Sequence, residues 1–193
     1  MYDYVSGRLA SLEPTAAVID CAGLGFRLEI TLSTYDAVQH LSATDPVKLF
    51  VHEVIREDEH LLYGFSDEAE RAMFRLLIGV SGVGASTARI MLSSLSIDEL
   101  RQAIADQDAK RIQRVKGVGA KTAQRIVVDL SDKVGSLSAS ASTPASTSSA
   151  GKDEALAALV MLGFPKPAAD KVLQSLSPSL SVEELIKQAL AKL

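Results

Sequence analysis

Apolar positions in the first 65 residues fall into five short runs, at residues 4–9, 16–21, 26–32, 47–55 and 61–65. Each run is rich in β-branched, aliphatic or aromatic side chains, and turn-forming pairs such as Glu13-Pro14, Ala22-Gly23 and Asp45-Pro46 separate them, with Glu57-Asp58-Glu59 before the last. Five strands of this length suit a small closed barrel, of which the OB-fold is the commonest five-stranded case. An open meander is the alternative. Closure is favoured because it leaves no exposed edge.

From Asp67 the period changes. Ala69, Ala72, Met73, Leu76 and Leu77 recur at helical spacing, and Ser96-Ile97-Asp98-Glu99 is a capping box that opens a further helix. Residues 136–151 are dominated by Ser, Ala and Thr, contain Pro144 and carry no charge. Such a stretch buries too little apolar surface to offset its ordering entropy and reads as a flexible tether. Beyond it, breaks at Gly163-Phe164-Pro165 and Ser177-Pro178 and a second capping box at Ser181–Glu184 divide the remainder into three short helices. The expected fold class is multidomain α+β: a five-stranded barrel over 1–66, an all-α domain over 67–135, a linker over 136–151 and a three-helix bundle over 152–193.

The all-α segment contains a repeat. Gly82-Val83-Gly84-Ala85-Ser86-Thr87-Ala88 and Gly117-Val118-Gly119-Ala120-Lys121-Thr122-Ala123 agree at six positions of seven, at an offset of 35 residues. That offset is typical of a two-helix unit. An apolar face follows each turn: Ala88, Met91, Leu92 and Leu95 in one copy, Ala123, Ile126, Val127 and Leu130 in the other. Glycines flanking a valine open backbone angles closed to other residues and remove side chains that would hold a ligand away. The first amides of the next helix lack intrahelical acceptors, and the helix dipole places partial positive charge there. A phosphate fits such a site. Lys121 and Arg125, four apart, share a helix face and can reach neighbouring phosphates. Contacts of this kind position a protein on DNA without reading its sequence.

Charge sharpens this picture. The net charge is −4, unusual for a DNA binder, but residues 1–66 carry four basic against ten acidic side chains while residues 67–135 carry eleven against nine. No acid occurs between Asp108 and Asp129, where Lys110, Arg111, Arg114, Lys116, Lys121 and Arg125 all fall. An acidic average hides a basic patch. Composition is otherwise ordinary, with 47% hydrophobic and 23% charged residues. The single Cys21 excludes an internal disulfide framework. His40, His52 and His60 are scattered without partners at ligand spacing. No apolar run reaches membrane-spanning length and no signal peptide is seen, so a cytoplasmic protein is expected.

Rival readings fail on spacing. A P-loop needs a glycine, four intervening residues, then Gly-Lys-Ser/Thr; Ala120 precedes Lys121-Thr122 and Val115 stands where the first glycine belongs, while in Gly79–Ser86 the lysine position is Ala85. A plain structural turn would account for one Gly-Val-Gly, but not for two matched copies beside a basic cluster.

These turns look like tandem helix-hairpin-helix motifs, and the layout resembles the RuvA family of Holliday-junction-binding subunits. The resemblance runs through Gly7-Arg8-Leu9, Arg56-Glu57-Asp58, Leu61-Leu62-Tyr63-Gly64-Phe65, both hairpins, the low-complexity tether and residues 155–164. It implies an OB-fold first domain, a helix-hairpin-helix second domain and a UBA-like third domain that docks on the hexameric motor ATPase RuvB. It also implies a homotetramer with four-fold symmetry, four-way junction DNA as ligand and the resolvase RuvC in the larger complex. The DNA-binding residues would be Gly82, Val83, Gly84, Ser86, Gly117, Val118, Gly119, Lys121, Thr122 and Arg125. Glu57 and Asp58 match the family's acidic pin at the junction centre, although by composition alone they read as a solvated hairpin tip. Leu159, Leu162 and Leu173 are candidate partner contacts and equally candidate core. One departure stands out: Ser86 occupies a position where family members often carry lysine. The first hairpin would then rely mainly on backbone amides, with Lys121 and Arg125 supplying more of the salt-sensitive binding.

No catalytic residues, metal ligands or cofactor are expected, ATP being used by the partner motor. Repair nucleases, glycosylases and ligases use similar hairpins as DNA grips, but they need a catalytic module for which no stretch is left over. A third class is an interaction protein whose neutral C-terminal bundle is its main business.

Overall fold

The computed structural model describes residues 2–42, 44–134, 150–177 and 180–193. The chain divides into two compact units, Met1–Ala141 and Ser142–Leu193. The tether expected over 136–151 lies outside the described residues except for Ala150 and Gly151, which already belong to a helix.

Five strands form the first part of unit 1: β1 Tyr4–Glu13, β2 Ala16–Cys21, β3 Leu24–Ile30, β4 Pro46–Ile55 and β5 His60–Phe65. They close into a barrel in the order β1-β2-β3-β5-β4, the expected five-stranded case. Strand β1 serves two neighbours, its first half pairing with β4 (Tyr4↔Phe50 to Arg8↔Pro46) and its second with β2 (Arg8↔Asp20 to Glu13↔Ala16). The changeover needs a residue without a side chain, because a Cβ on Gly7 would stand 2.1 Å from the Asp20 carbonyl oxygen. Closure comes from a short parallel pairing of β3 with β5, Glu29↔Tyr63 and Ile30↔Gly64. Alternation along β4 sends Val47, Leu49 and Val51 inward to meet Val5, Ile19, Leu28 and Ile30.

One element differs from the sequence expectation. The third strand stops at Ile30 rather than Leu32, and Leu32–Val38 form a short helix, α1. Thr31 turns the chain: its backbone is extended, and its hydroxyl accepts the Thr34 amide at 3.0 Å. That N-cap outweighs the β propensity of the run before it.

Helices α2 Glu68–Ile78, α3 Ala85–Ser94, α4 Ile97–Ala105, α5 Ala109–Gln113 and α6 Ala120–Val134 complete unit 1. The capping box at Ser96 and Glu99 is formed in both directions. The helical part is not hinged on the barrel. Phe74 of α2 lies with its ring 5.0 Å from those of Tyr63 and Phe65 on β5, inside one continuous apolar core. Beside it, the buried Glu70 carboxylate accepts the hydroxyls of Thr31 and Thr34 at 2.7 and 2.9 Å. Burial raises the Glu70 pKa above its ordinary value, against the lowering effect of those two hydroxyls. Buried Arg71 donates to the Asp3 carbonyl oxygen and carboxylate and to Glu68. Both groups fasten α2 to the barrel, since a buried charge is tolerated only when its partners are in place.

Unit 2 consists of α7 Ala150–Met161, α8 Lys166–Gln174 and α9 Val182–Leu190, the three helices expected there. Ser181 and Glu184 form the predicted capping box. Of the three leucines that are candidates for either a partner surface or the core, two lie in the core. Leu159 and Leu173 are 0% and 2% exposed and hold the unit's own core together with Ala155, Ala169, Leu185 and Ala189. A three-helix bundle of this size has few other residues to bury. Leu162 is exposed at the end of α7, next to Met161.

Candidate nucleic-acid interface

The two Gly-Val-Gly turns repeat in three dimensions what they repeat in sequence. Gly82 and Gly117 take φ of +93° and +90°, angles that side chains rarely adopt. The Val83 amide then reaches the Val80 carbonyl at 3.0 Å, and the Val118 amide reaches that of Val115 at 3.1 Å. Both valines are driven into the core, so they anchor the turns and present no side chain to a ligand. Ala88 closes the first turn of α3 onto the Gly84 carbonyl at 2.9 Å, and Ala123 closes that of α6 onto Gly119 at 2.9 Å. The same backbone is built twice.

The starts of α3 and α6 differ from those of the neighbouring helices. Asp67, Ser96 and Asp108 cap α2, α4 and α5 with side-chain oxygens. Gly84 makes no side-chain cap on α3, and Gly119 holds the corresponding place before α6. Neither helix has an acid in its first turn, whereas α2 and α4 each have two. The first amides of α3 and α6 are therefore left for an external acceptor, with the helix dipole behind them. A Cβ built on Gly84, Gly117 or Gly119 would meet nothing within 4 Å, so the approach to these amides is open.

The second hairpin reaches across to the first. Arg125 of α6 donates to the Ser81 carbonyl oxygen at 3.0 Å, and Thr122 Oγ1 stands 3.7 Å from where a Gly82 Cβ would be. Arg125 thus fixes the relative placement of the two turns while remaining exposed. Lys121 is exposed, and Ser86 lies on the first turn of α3. Ser86 also lines an open cleft of about 310 Å3 with Arg56, Glu59, Tyr63 and Arg89. Arg89 donates to the Glu29 carboxylate and, at 3.0 Å, to the Thr15 carbonyl oxygen, holding α3 against the barrel. Glu57 and Asp58 form the exposed tip of the β4–β5 hairpin. Below them the Arg56 amide donates to the Glu59 carbonyl oxygen at 2.8 Å, and the Arg56 guanidinium faces the Glu59 carboxylate at 3.7 Å. The tip is braced at its base, and that base shares a cleft with the first hairpin's helix.

Sequence reasoning missed Ser81 and Arg89. Arg89 and Glu29 lie 60 residues apart, and Arg125 and Ser81 lie 44 apart. Such pairs leave no local signature. Among the described residues no group of three or more metal-ligating side chains comes together, and no helix is long and apolar enough to cross a membrane.

A closed five-stranded barrel joined to paired, uncapped helix-hairpin-helix turns defines a protein of the tandem helix-hairpin-helix class of DNA binders. Residues 1–64 match the RuvA N terminal domain, 74–132 the SAM-like helix-hairpin-helix tandem and 151–193 the RuvA C-terminal domain. The chain is 45% identical over 196 residues to the Holliday junction branch migration complex subunit RuvA of Flavobacterium psychrophilum, with both chains covered in full. It is 46% identical over 204 residues to that of Bacteroides thetaiotaomicron, again with both chains covered in full. For the Chlorobium limicola subunit the identity is 40% over 202 residues, covering all of this chain and 98% of the relative. The chain belongs to the RuvA family, whose members are subunits of the Holliday junction branch migration complex.

Proposed function

We propose that this chain grips the arms of a four-way DNA junction by their phosphate backbone, opens the junction, and delivers it to the RuvB motor ATPase for branch migration in recombination and repair. The observation that carries this reading is the doubled turn: two backbone amide sites of matching geometry, both uncapped, both facing open space. At each, one phosphate oxygen accepts the free amides at the start of α3 or α6. Ser86 adds a hydroxyl at the first site, and Lys121 and Thr122 act at the second. Arg125 spaces the two phosphates through Ser81 and adds charge. Neither site reads a base, so binding is set by backbone shape and salt.

Selectivity is assigned to Glu57 and Asp58. Carboxylates on a braced tip repel phosphates that run straight past them and tolerate strands that splay apart. Residues 1–66 and 67–135 form the junction-holding part, as a four-fold homotetramer. Residues 152–193 dock the motor, with Leu162 on the docking side. The protein works in the cytoplasm, with RuvC joining the larger complex. It performs no chemistry and takes no cofactor, ATP being consumed by the motor.

The test uses purified chain, a synthetic four-way junction, RuvB and ATP. The full chain accelerates strand exchange, and a chain ending before residue 150 binds the junction without accelerating it. Loss of both properties in the shortened chain would contradict the assigned division of labour.

A further inference from the structure

The grip described above uses Lys121 and Arg125 but leaves most of the basic run before it without a task. Arg111 is committed: its guanidinium donates to the Glu99 carboxylate at 2.8 Å. Arg114 and Lys116 are different. Arg114 is the C-cap of α5, and Lys116 immediately precedes Gly117. Both are exposed, and among the described residues neither side chain has a hydrogen bond or ion pair.

With Arg111 they line an open cleft of about 730 Å3 beside the second hairpin, floored by Leu95 and Val115. Its two acids are already engaged. Glu99 accepts the Ser96 amide and hydroxyl as well as Arg111, and Asp108 accepts the Arg111 amide at 3.0 Å. Three cations therefore face two carboxylates, which leaves the lining net positive, and its two unpartnered cations are Arg114 and Lys116. No aromatic side chain lines the cleft, so it offers charge but no platform for stacking a base.

We propose that the cleft of Arg114 and Lys116 is a further phosphate-binding surface, which takes the sugar–phosphate backbone of the strand beyond the phosphate held at Gly119. It rests on the DNA-grip reading and extends the footprint of the second hairpin along the arm. It also gives the second hairpin cations on both sides of its amide site, Lys116 before it and Lys121 after it.

The test is the dependence of junction binding on potassium chloride concentration. The variants are Arg114→Ala/Lys116→Ala, the charge-keeping Arg114→Lys/Lys116→Arg, and Lys171→Ala/Lys192→Ala in unit 2, which removes equal charge elsewhere. Thermal melting confirms that each is folded. The first double variant should lose about 0.9 from the log–log salt slope for each phosphate contact removed per bound protomer. The charge-keeping pair and the unit 2 pair should match the unaltered protein. An unchanged slope in the first variant, or an equal loss in the unit 2 pair, would overturn the proposal. Failure of the unaltered protein to bind a junction would sink the grip reading itself, and the cleft with it.

Discussion

The glycines of the two turns divide into two kinds, and alanine substitutions should separate them. Gly82 and Gly117 have φ near +90°. An alanine there is forced into the left-handed region at a cost of about 1–2 kcal/mol. For a unit of this size that lowers Tm by roughly 2–8 °C, at about 2–4 °C per kcal/mol. Gly84 has φ −84°, and neither it nor Gly119 would bring a Cβ within 4 Å of another atom. Exchanging a glycine N-cap for alanine costs about 0.5–1 kcal/mol. Stiffening the unfolded chain returns about 0.4–1 kcal/mol, so Gly84→Ala and Gly119→Ala should melt within a degree or two of the parent. Their methyl groups would, however, enter the open space through which a phosphate approaches the amides of α3 and α6. Losing one charge-assisted hydrogen bond is worth about 1.5–3 kcal/mol, or roughly 10- to 150-fold in Kd. Differential scanning fluorimetry gives the first quantity and fluorescence anisotropy with a labelled junction the second. Gly84→Ala and Gly119→Ala proteins that melt normally and bind with the parental Kd would refute the amide grip.

Glu57→Gln/Asp58→Asn should raise affinity for linear duplex while leaving junction affinity within a few-fold. A duplex affinity that stays low in an anisotropy titration would remove the pin from the account. Arg125→Lys keeps the charge but loses the planar reach to Ser81, so the salt slope should hold while affinity falls about 2- to 10-fold, the worth of a 0.5–1.5 kcal/mol hydrogen bond; a changed slope at unchanged affinity would make its role purely electrostatic. His52 is held below its ordinary 6.5, chiefly by burial and then by the charges of Arg75 and Arg71, against Glu53. The unfolded chain therefore takes up this proton first as pH falls, so the stability His52 contributes is complete above pH 6.5 and drains away below it. Glu70, with its raised pKa, works in the opposite direction at lower pH. Tm measured from pH 7 to 5 should fall more steeply for the parent than for His52→Gln; parallel curves would contradict this.

What could be read from the chain was whatever depends on near neighbours. Strand alternation, both capping boxes and the anchoring valines of the repeat are fixed within about four residues, and they stand where expected. The short helix α1 escaped notice because Leu32 continues the apolar run of β3, and only the Thr31 hydroxyl redirects the backbone. Long-range features were out of reach. The parallel β3–β5 pairing, the Glu70 carboxylate buried under Thr31 and Thr34, and the Arg125 bridge to Ser81 join residues more than 30 positions apart. Leu159 and Leu162 show the same limit around the end of one helix. Leu159 lies in the last turn of α7 and Leu162 just follows it, and only the packing of α8 and α9 decides that the first is core and the second exposed.

Preference for a four-way junction over continuous duplex can be read from a competition band-shift. Labelled junction and linear duplex of equal length are titrated with the protein in magnesium, against unlabelled duplex. A discrete junction complex should survive an excess of competitor sufficient to strip the linear probe. Equal affinity for the two probes would reduce the paired hairpins to generic backbone binders and contradict the role given to Glu57 and Asp58.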